Sequence, residues 1–155
     1  MSVWIIPAHV GKNDDYYYEL DRALDTLKTI FWGQSKNIKN IDVGDIVYMY
    51  ETPPVSAIGW RCKVLAVKVP PQNVDIDDSE FEHGYGGTSD YYIKITVIGK
   101  SLGKYDDESR AKLLSLLELR RNGLNPKFHM QDSFRPKGQL LVYINSIEPS
   151  VVYDG

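Results

Sequence analysis

Phe31-Trp32-Gly33-Gln34-Ser35-Lys36, followed after a short polar loop by Val43-Gly44-Asp45-Ile46-Val47-Tyr48-Met49-Tyr50, is the stretch that decides the fold. It ends one strand on a large aromatic and a glycine, then launches a second, aromatic-rich strand from a Gly-Asp turn. Ile46, Tyr48 and Tyr50 alternate with Val47 and Met49, so both faces of the second strand are apolar and it belongs in the middle of a sheet. A Trp next to a Gly can leave one ring face open, and planar bases and cations stack on open ring faces. Trp32 is thus a candidate pocket wall; the competing expectation packs its ring in the core.

Upstream, Val3 to Ile6 reads as a first strand stopped by Pro7. Tyr17, Leu20, Leu24 and Leu27 recur with helical spacing, with Asn13 or Asp14 as the expected cap, and the helix closes near Lys28-Thr29. Downstream, Pro53-Pro54 ends the central strand. Ala57 to Val69 then forms the longest strand, with Ile58, Trp60, Cys62, Val64 and Ala66 expected on one face and Gly59 marking a bulge or a close approach. Pro70 to Asp90 is expected to be a long surface excursion, with Gly84-Tyr85-Gly86-Gly87 as a flexible loop. Tyr91 to Ile98 returns as a strand. Asp106 is the expected cap of a helix striped by Leu113, Leu114, Leu116, Leu117 and Leu119 and stopped at Gly123. Gln139 to Ile147 suits a short helix, with a strand as the alternative. Long meander strands with few helices between them imply an α+β fold, a strongly curved, barrel-like mixed sheet of about five to six strands flanked by helices.

At 155 residues the chain has room for one domain, taken as 1–155, and a separate catalytic domain does not fit. A 43% hydrophobic and 25% charged composition is that of an ordinary globular protein. Tyr outnumbers Phe eleven to four, which suits binding surfaces, although most single tyrosines are expected to pack on sheet faces. The net charge of −3 is unevenly placed. Asp75, Asp77, Asp78, Glu80 and Glu82 make one acidic run, whereas Arg120, Arg121, Lys127, Arg135 and Lys137 face Asp132 alone between 120 and 137. A local cationic surface steers a phosphate backbone even on an acidic protein; solvated helix-end and loop charges are the competing reading. One cysteine, Cys62, excludes an internal disulfide and fits a reducing compartment. The first residues lack a basic start and a signal core, nothing is long enough to span a bilayer, and the expected location is the cytoplasm, with no membrane partner.

Catalytic and metal signals are weak. His9, His83 and His129 have no metal-ligand spacing, and no nucleophile elbow or phosphate-binding glycine loop occurs. His83 beside Glu82 is weak evidence for an acid/base pair. No metal or cofactor is expected. What remains is a binding constellation: Trp32 with Trp60, Tyr50 or Phe128 as pocket walls, Gln34, Ser35 and Asn37 at a base edge, and Lys36, Lys39, Arg61 and Arg135 on phosphates. For Trp4 and Trp60, inside strands, core packing is the better expectation.

Trp4-Ile5-Ile6-Pro7, Phe31 to Lys36, Ile38 to Tyr50 and Ser56-Ala57-Ile58, with Asn122-Gly123-Leu124 and Ser133-Phe134-Arg135 later, resemble the EVE domain of the PUA-like superfamily. The resemblance spans nearly the whole chain and is strongest from Trp32 to Val69. It implies a curved, barrel-like sheet and a pocket that accepts a modified base, as in the related YTH and ASCH-type folds and in readers attached to modification-dependent restriction systems. By motif position it implies Trp32 as a cage aromatic, Gln34 and Ser35 at the pocket edge, and Arg135 as a backbone or pocket contact.

The expected function is a non-catalytic reader of a modified base, such as 5-methylcytosine or hydroxymethylcytosine in DNA, acting as a monomer or weak dimer with a possible effector nuclease partner. On this expectation Trp32→Ala abolishes binding and leaves the thermal midpoint little changed. RNA binding is the second reading. A small ASCH-type nuclease or amidohydrolase is the third, for which Lys36, Asp45 and Glu51 are the available acid/base set, although Asp45 better suits the turn before its strand.

Overall fold

A computed structural model describes residues 1–100 and 113–147. Its strands are β1 (Val3–Ala8), β2 (Tyr17–Tyr18), β3 (Thr29–Gly33), β4 (Ile46–Glu51), β5 (Ala57–Val69), β6 (Glu82–His83) and β7 (Tyr92–Lys100). The helices are α1 (Leu20–Leu27), α2 (Leu116–Arg121) and α3 (Gly138–Ile147). Five strands form one mixed sheet in the order β1-β4-β5-β7-β3, parallel between β1 and β4 and antiparallel elsewhere, while β2 and β6 pair separately. Among the described residues no ladder joins edge strands β1 and β3, so the sheet is strongly bent but open. Bulges in β5 supply the bend.

All six residues of β4 are buried, as a strand apolar on both faces requires. Val47 and Met49 enter the main core with Trp4, Trp60, Cys62, Val64, Ile93 and Ile95. Ile46, Tyr48 and Tyr50 enter a second core, over which the 113–147 layer packs with Leu114, Leu119, Leu140 and Ile144. Asp45 clamps the start of this arrangement. Its carboxylate accepts from Ser2 N and Asp42 N at 2.9 Å and from Trp4 Nε1 at 3.0 Å, tying β1 to the turn before β4. Gly44 makes the turn with φ +90°.

Gly59 is the extra residue of a bulge: Met49 pairs with Trp60 and Tyr50 with Ile58. That bulge corrects the expected face of β5. Ile58 turns to the second core while Trp60, Cys62 and Val64 stay in the main one, because one inserted residue reverses a period of two. Burial pushes the Cys62 thiol up to about 12, which makes it a packing group rather than a nucleophile.

The first helix starts later than its spacing predicts. Residues 11–14 form a turn closed by Asp14 N on Gly11 O, and Tyr17–Tyr18 are strand, with Tyr18 N donating to His9 O at 2.7 Å. Neither Asn13 nor Asp14 caps α1; Glu19 precedes it without a side-chain cap bond. Lys28, at φ 65°, ends it. The excursion at 70–90 is docked rather than loose. Phe81 is buried in the main core, Tyr18 Oη donates to Asp78 at 2.7 Å, and the backbone at Gly84 lies against Asp15. Ser115 caps α2, its Oγ accepting from Glu118 N at 3.3 Å; the expected cap Asp106 lies outside the described residues. The last helix of the sequence reading is present as α3. No helix among the described residues is long and apolar enough to cross a membrane.

Candidate ligand cleft

Strands β1 and β4 run parallel and end side by side, Ala8 in register with Glu51. The chain beyond both ends is knitted together: Thr52 N donates to Ala8 O at 3.1 Å and Val10 N to Thr52 Oγ1 at 3.2 Å. Gly11 is required here because a Cβ would lie 2.8 Å from Pro53 O. Above these ends opens a cleft of about 1010 Å³, built from residues 9–14, 17–22, 50–55, 116 and 129–131. That is the upper end of the range for small-molecule sites.

The cleft combines rings with charges. Tyr17, Tyr18 and Tyr50 supply aromatic surface, His9 and His129 add imidazoles, and Glu51, a residue only 1% exposed, brings a carboxyl. Asp14, Glu19, Asp21 and Glu51 outnumber Lys12 and Arg22 among the lining residues. Such a balance repels a phosphate and suits a neutral ring with N–H groups to donate.

One wall is braced from the 70–90 segment. The Tyr17 ring stacks on His83 at 4.4 Å, His83 Nε2 lies 2.8 Å from Glu19 Oε2, and Arg22 Nη1 donates to the same oxygen at 2.9 Å. The bonds from His83 and then Arg22 hold the Glu19 carboxyl below its ordinary value. Burial, then the bond to Asp78, raises the Tyr18 phenol, so Tyr18 stays a neutral donor. Trp60 Nε1 donates to Asp21 at 2.8 Å, which links the cleft lining to the core.

Of the residues expected to bind a base, Tyr50 alone lines the cleft, joined there by Glu51 of the expected acid/base set. Trp32 shares a face with Ile30, packs on the main core and meets Tyr18 edge-on at 5.4 Å. Gln34 is engaged at both ends of its amide: Oε1 accepts from Lys68 N at 2.8 Å and Nε2 donates to Ile38 O at 3.2 Å. It is a tether for the 3₁₀ turn Lys36–Ile38. Ser35 and Lys36 are exposed there, as are Asn37 and Lys39. Trp60 is fully buried, with Lys100 Nζ 5.3 Å from its ring centre. Arg61 is half-buried beside Tyr48. Phe128 packs on Phe134 at 4.9 Å in the second core, and exposed Arg135 lies 5.5 Å over the Trp4 ring.

The hexapeptide and the cleft stand at opposite ends of one ladder. Ala57, the first residue of β5, pairs with Glu51 at the cleft; Val69, its last, pairs with Tyr92, which pairs with Gly33. Tyr18 is their link, lining the cleft and touching Trp32. The proposed catalytic set is likewise dispersed. Asp45 and Glu51 flank β4, roughly 20 Å apart by the rise of a strand, and Lys36 is on the 3₁₀ turn. For Glu51 the sequence carried a further signal: a Glu closing a strand apolar on both faces has to be buried, and buried carboxyls are placed for a purpose or paired.

No protein-family model matches the sequence, and a comparison with curated proteins returns no match. Solved structures do match. Rpa0253 from Rhodopseudomonas palustris superposes with a TM-score of 0.58 at 10% identity, over 96% of this chain and 94% of that one. A protein from Pseudomonas putida gives 0.58 at 13% identity, over 94% and 99%. ASCH from Zymomonas mobilis gives 0.54 at 11% identity, over 95% and 96%. At such identities the likeness is one of fold. The chain therefore shares the α+β fold of these structures, ASCH from Zymomonas mobilis among them.

Proposed function

We propose that this protein is a non-catalytic nucleic-acid-binding module that reads one base in the cleft, and that the base is a modified cytosine of DNA. The observation that carries this reading is the pairing of tyrosine rings with the buried Glu51 carboxyl in a cleft roomy enough for a substituted pyrimidine. A base must be unpaired or turned out of the duplex to be read this way, then stacked and bonded at its edge. A carboxylate accepts from the cytosine 4-amino group. The EVE-like sequence pattern and the ASCH-like fold meet in the PUA-like class, and both support a base pocket. Trp32 then acts through Tyr18 instead of as the cage wall, and a separate effector nuclease is the partner such a reader would serve.

Fluorescence polarisation with oligonucleotides carrying cytosine, 5-methylcytosine or 5-hydroxymethylcytosine, as DNA and as RNA, tests the proposal. A preference for one modified DNA oligonucleotide is expected, and Glu51→Gln should reduce it about tenfold, since a good edge contact discriminates by about 1–3 kcal/mol. Equal affinity across the panel would refute the reading, and a preference for RNA would favour the RNA alternative. Two imidazoles lining the same cleft as Glu51 and Lys12 favour one further reading, a small hydrolase. Turnover of labelled nucleic acid or a modified nucleoside, lost in Glu51→Gln, would establish it.

A further inference from the structure

We infer that the half of the sheet left uncovered by the 113–147 layer is a track for single-stranded nucleic acid. The inference rests on the nucleic-acid reading of the cleft and supplies the backbone contacts that an acid-rich cleft lacks. The second core covers this face over β1, β4, the start of β5 and, at Ile98, the last part of β7. Beyond it, Lys63 pairs with Thr96, Thr96 with Thr29, Lys94 with Phe31, and Tyr92 with Gly33. Ile93 and Ile95 point into the main core, so alternation sets Tyr92, Lys94 and Thr96 on the outer face.

Three features make this face a nucleic-acid surface. Strands β3, β5 and β7 contain no Asp or Glu, and they carry Arg61, Lys63, Lys68 and Lys94, while Lys100 is engaged on the other side with Asp25 and the Trp60 ring of the main core. Apolar surface lies among the cations: Leu65 is 43% exposed, and half-buried Phe31 carries Lys94 Nζ over its ring at 5.6 Å from the centre. At the far end, Tyr91 and Tyr92 line a hollow of about 610 Å³ with Pro70, Pro71, Ser89 and Asp90. Rings between cations on an open sheet are what a single strand needs, each base stacking without sequence preference while the phosphates meet lysines.

The test uses an unmodified oligothymidylate of about twelve nucleotides, which offers the cleft no cytosine. Lys63→Glu combined with Lys94→Glu should weaken its binding at least tenfold and flatten the salt dependence by about 1.4 in log–log slope, about 0.7 per lost phosphate contact. Phe31→Ala should weaken binding without changing that slope. Lys63→Gln combined with Lys94→Gln gives the same slope change if the double Glu variant fails to fold. Unaltered affinity and slope in folded variants, or no oligothymidylate binding by the parent protein at low salt, would overturn the inference. So would a change in sedimentation mass of the double variant alone, which assigns the face to a second copy. Glu51→Gln separates the two sites: it should leave oligothymidylate affinity intact, so a missing cytosine preference refutes the cleft and leaves the track to stand or fall on its own titration.

Discussion

Asp45 is 5% exposed, and its carboxylate receives three N–H donors from Ser2, Asp42 and Trp4. Burial pushes its pKa up, but those three bonds and the N-terminal ammonium together hold it below the ordinary carboxylate value. Asp45→Asn should lower the urea-derived stability by about 2 kcal/mol at neutral pH, since a charged acceptor is lost and the Trp4 indole stays buried. The pH dependence has a definite sign. The unfolded carboxyl takes up its proton first as pH falls below about 4, so the contribution of Asp45 is full above that value and fades towards the lower folded value. The gap between parent and Asn variant should therefore narrow in acid, and an unchanging gap from pH 7 to pH 3 would contradict this role. Glu51, at the other end of the same strand, occupies the cleft, and its Gln variant is predicted to change ligand choice.

At the scale of elements, the 78–87 segment braces the cleft wall through His83, Phe81 and Asp78. Gly84 sits at φ +87°, and a Cβ there would lie 2.2 Å from Asp15 O. Gly84→Ala should cost about 2 kcal/mol in urea unfolding and weaken ligand binding with it, because the brace carries Tyr17 and Glu19. Trp32→Ala is now expected to lower stability as well, by about 2 kcal/mol, since its ring packs on the core and on Tyr18. A thermal midpoint unchanged in that variant would restore the open-ring expectation. The sequence shows why elements differ in legibility. β4 is a nearly continuous apolar run and β5 a long one interrupted by cations, both with local punctuation, and even the Gly59 bulge is marked. The start of α1 is hidden because Tyr17 fits a helical period, while its strand partner His83 is 66 residues away and leaves no local trace.

For the whole molecule, the curved α+β sheet could be read from the order of strands and turns, and the comparison with ASCH structures agrees with it. The cleft could not be read in this way. Residues 9–14, 17–22, 50–55 and 129–131 meet only because parallel strands β1 and β4 end together and the later layer folds over them. The hexapeptide drew attention because its chemistry is local, but its polar groups secure a turn at the other end of the ladder. The division proposed for the intact protein is one base in the acid-rich cleft and the strand on the cationic sheet face. The most direct measurement is backbone amide chemical-shift mapping with a single-stranded DNA carrying one modified cytosine. Replacing cytosine by the modified base should move the amides of residues 9–14, 17–22 and 50–55. Changes centred on Gly33 to Lys39 instead would contradict that division.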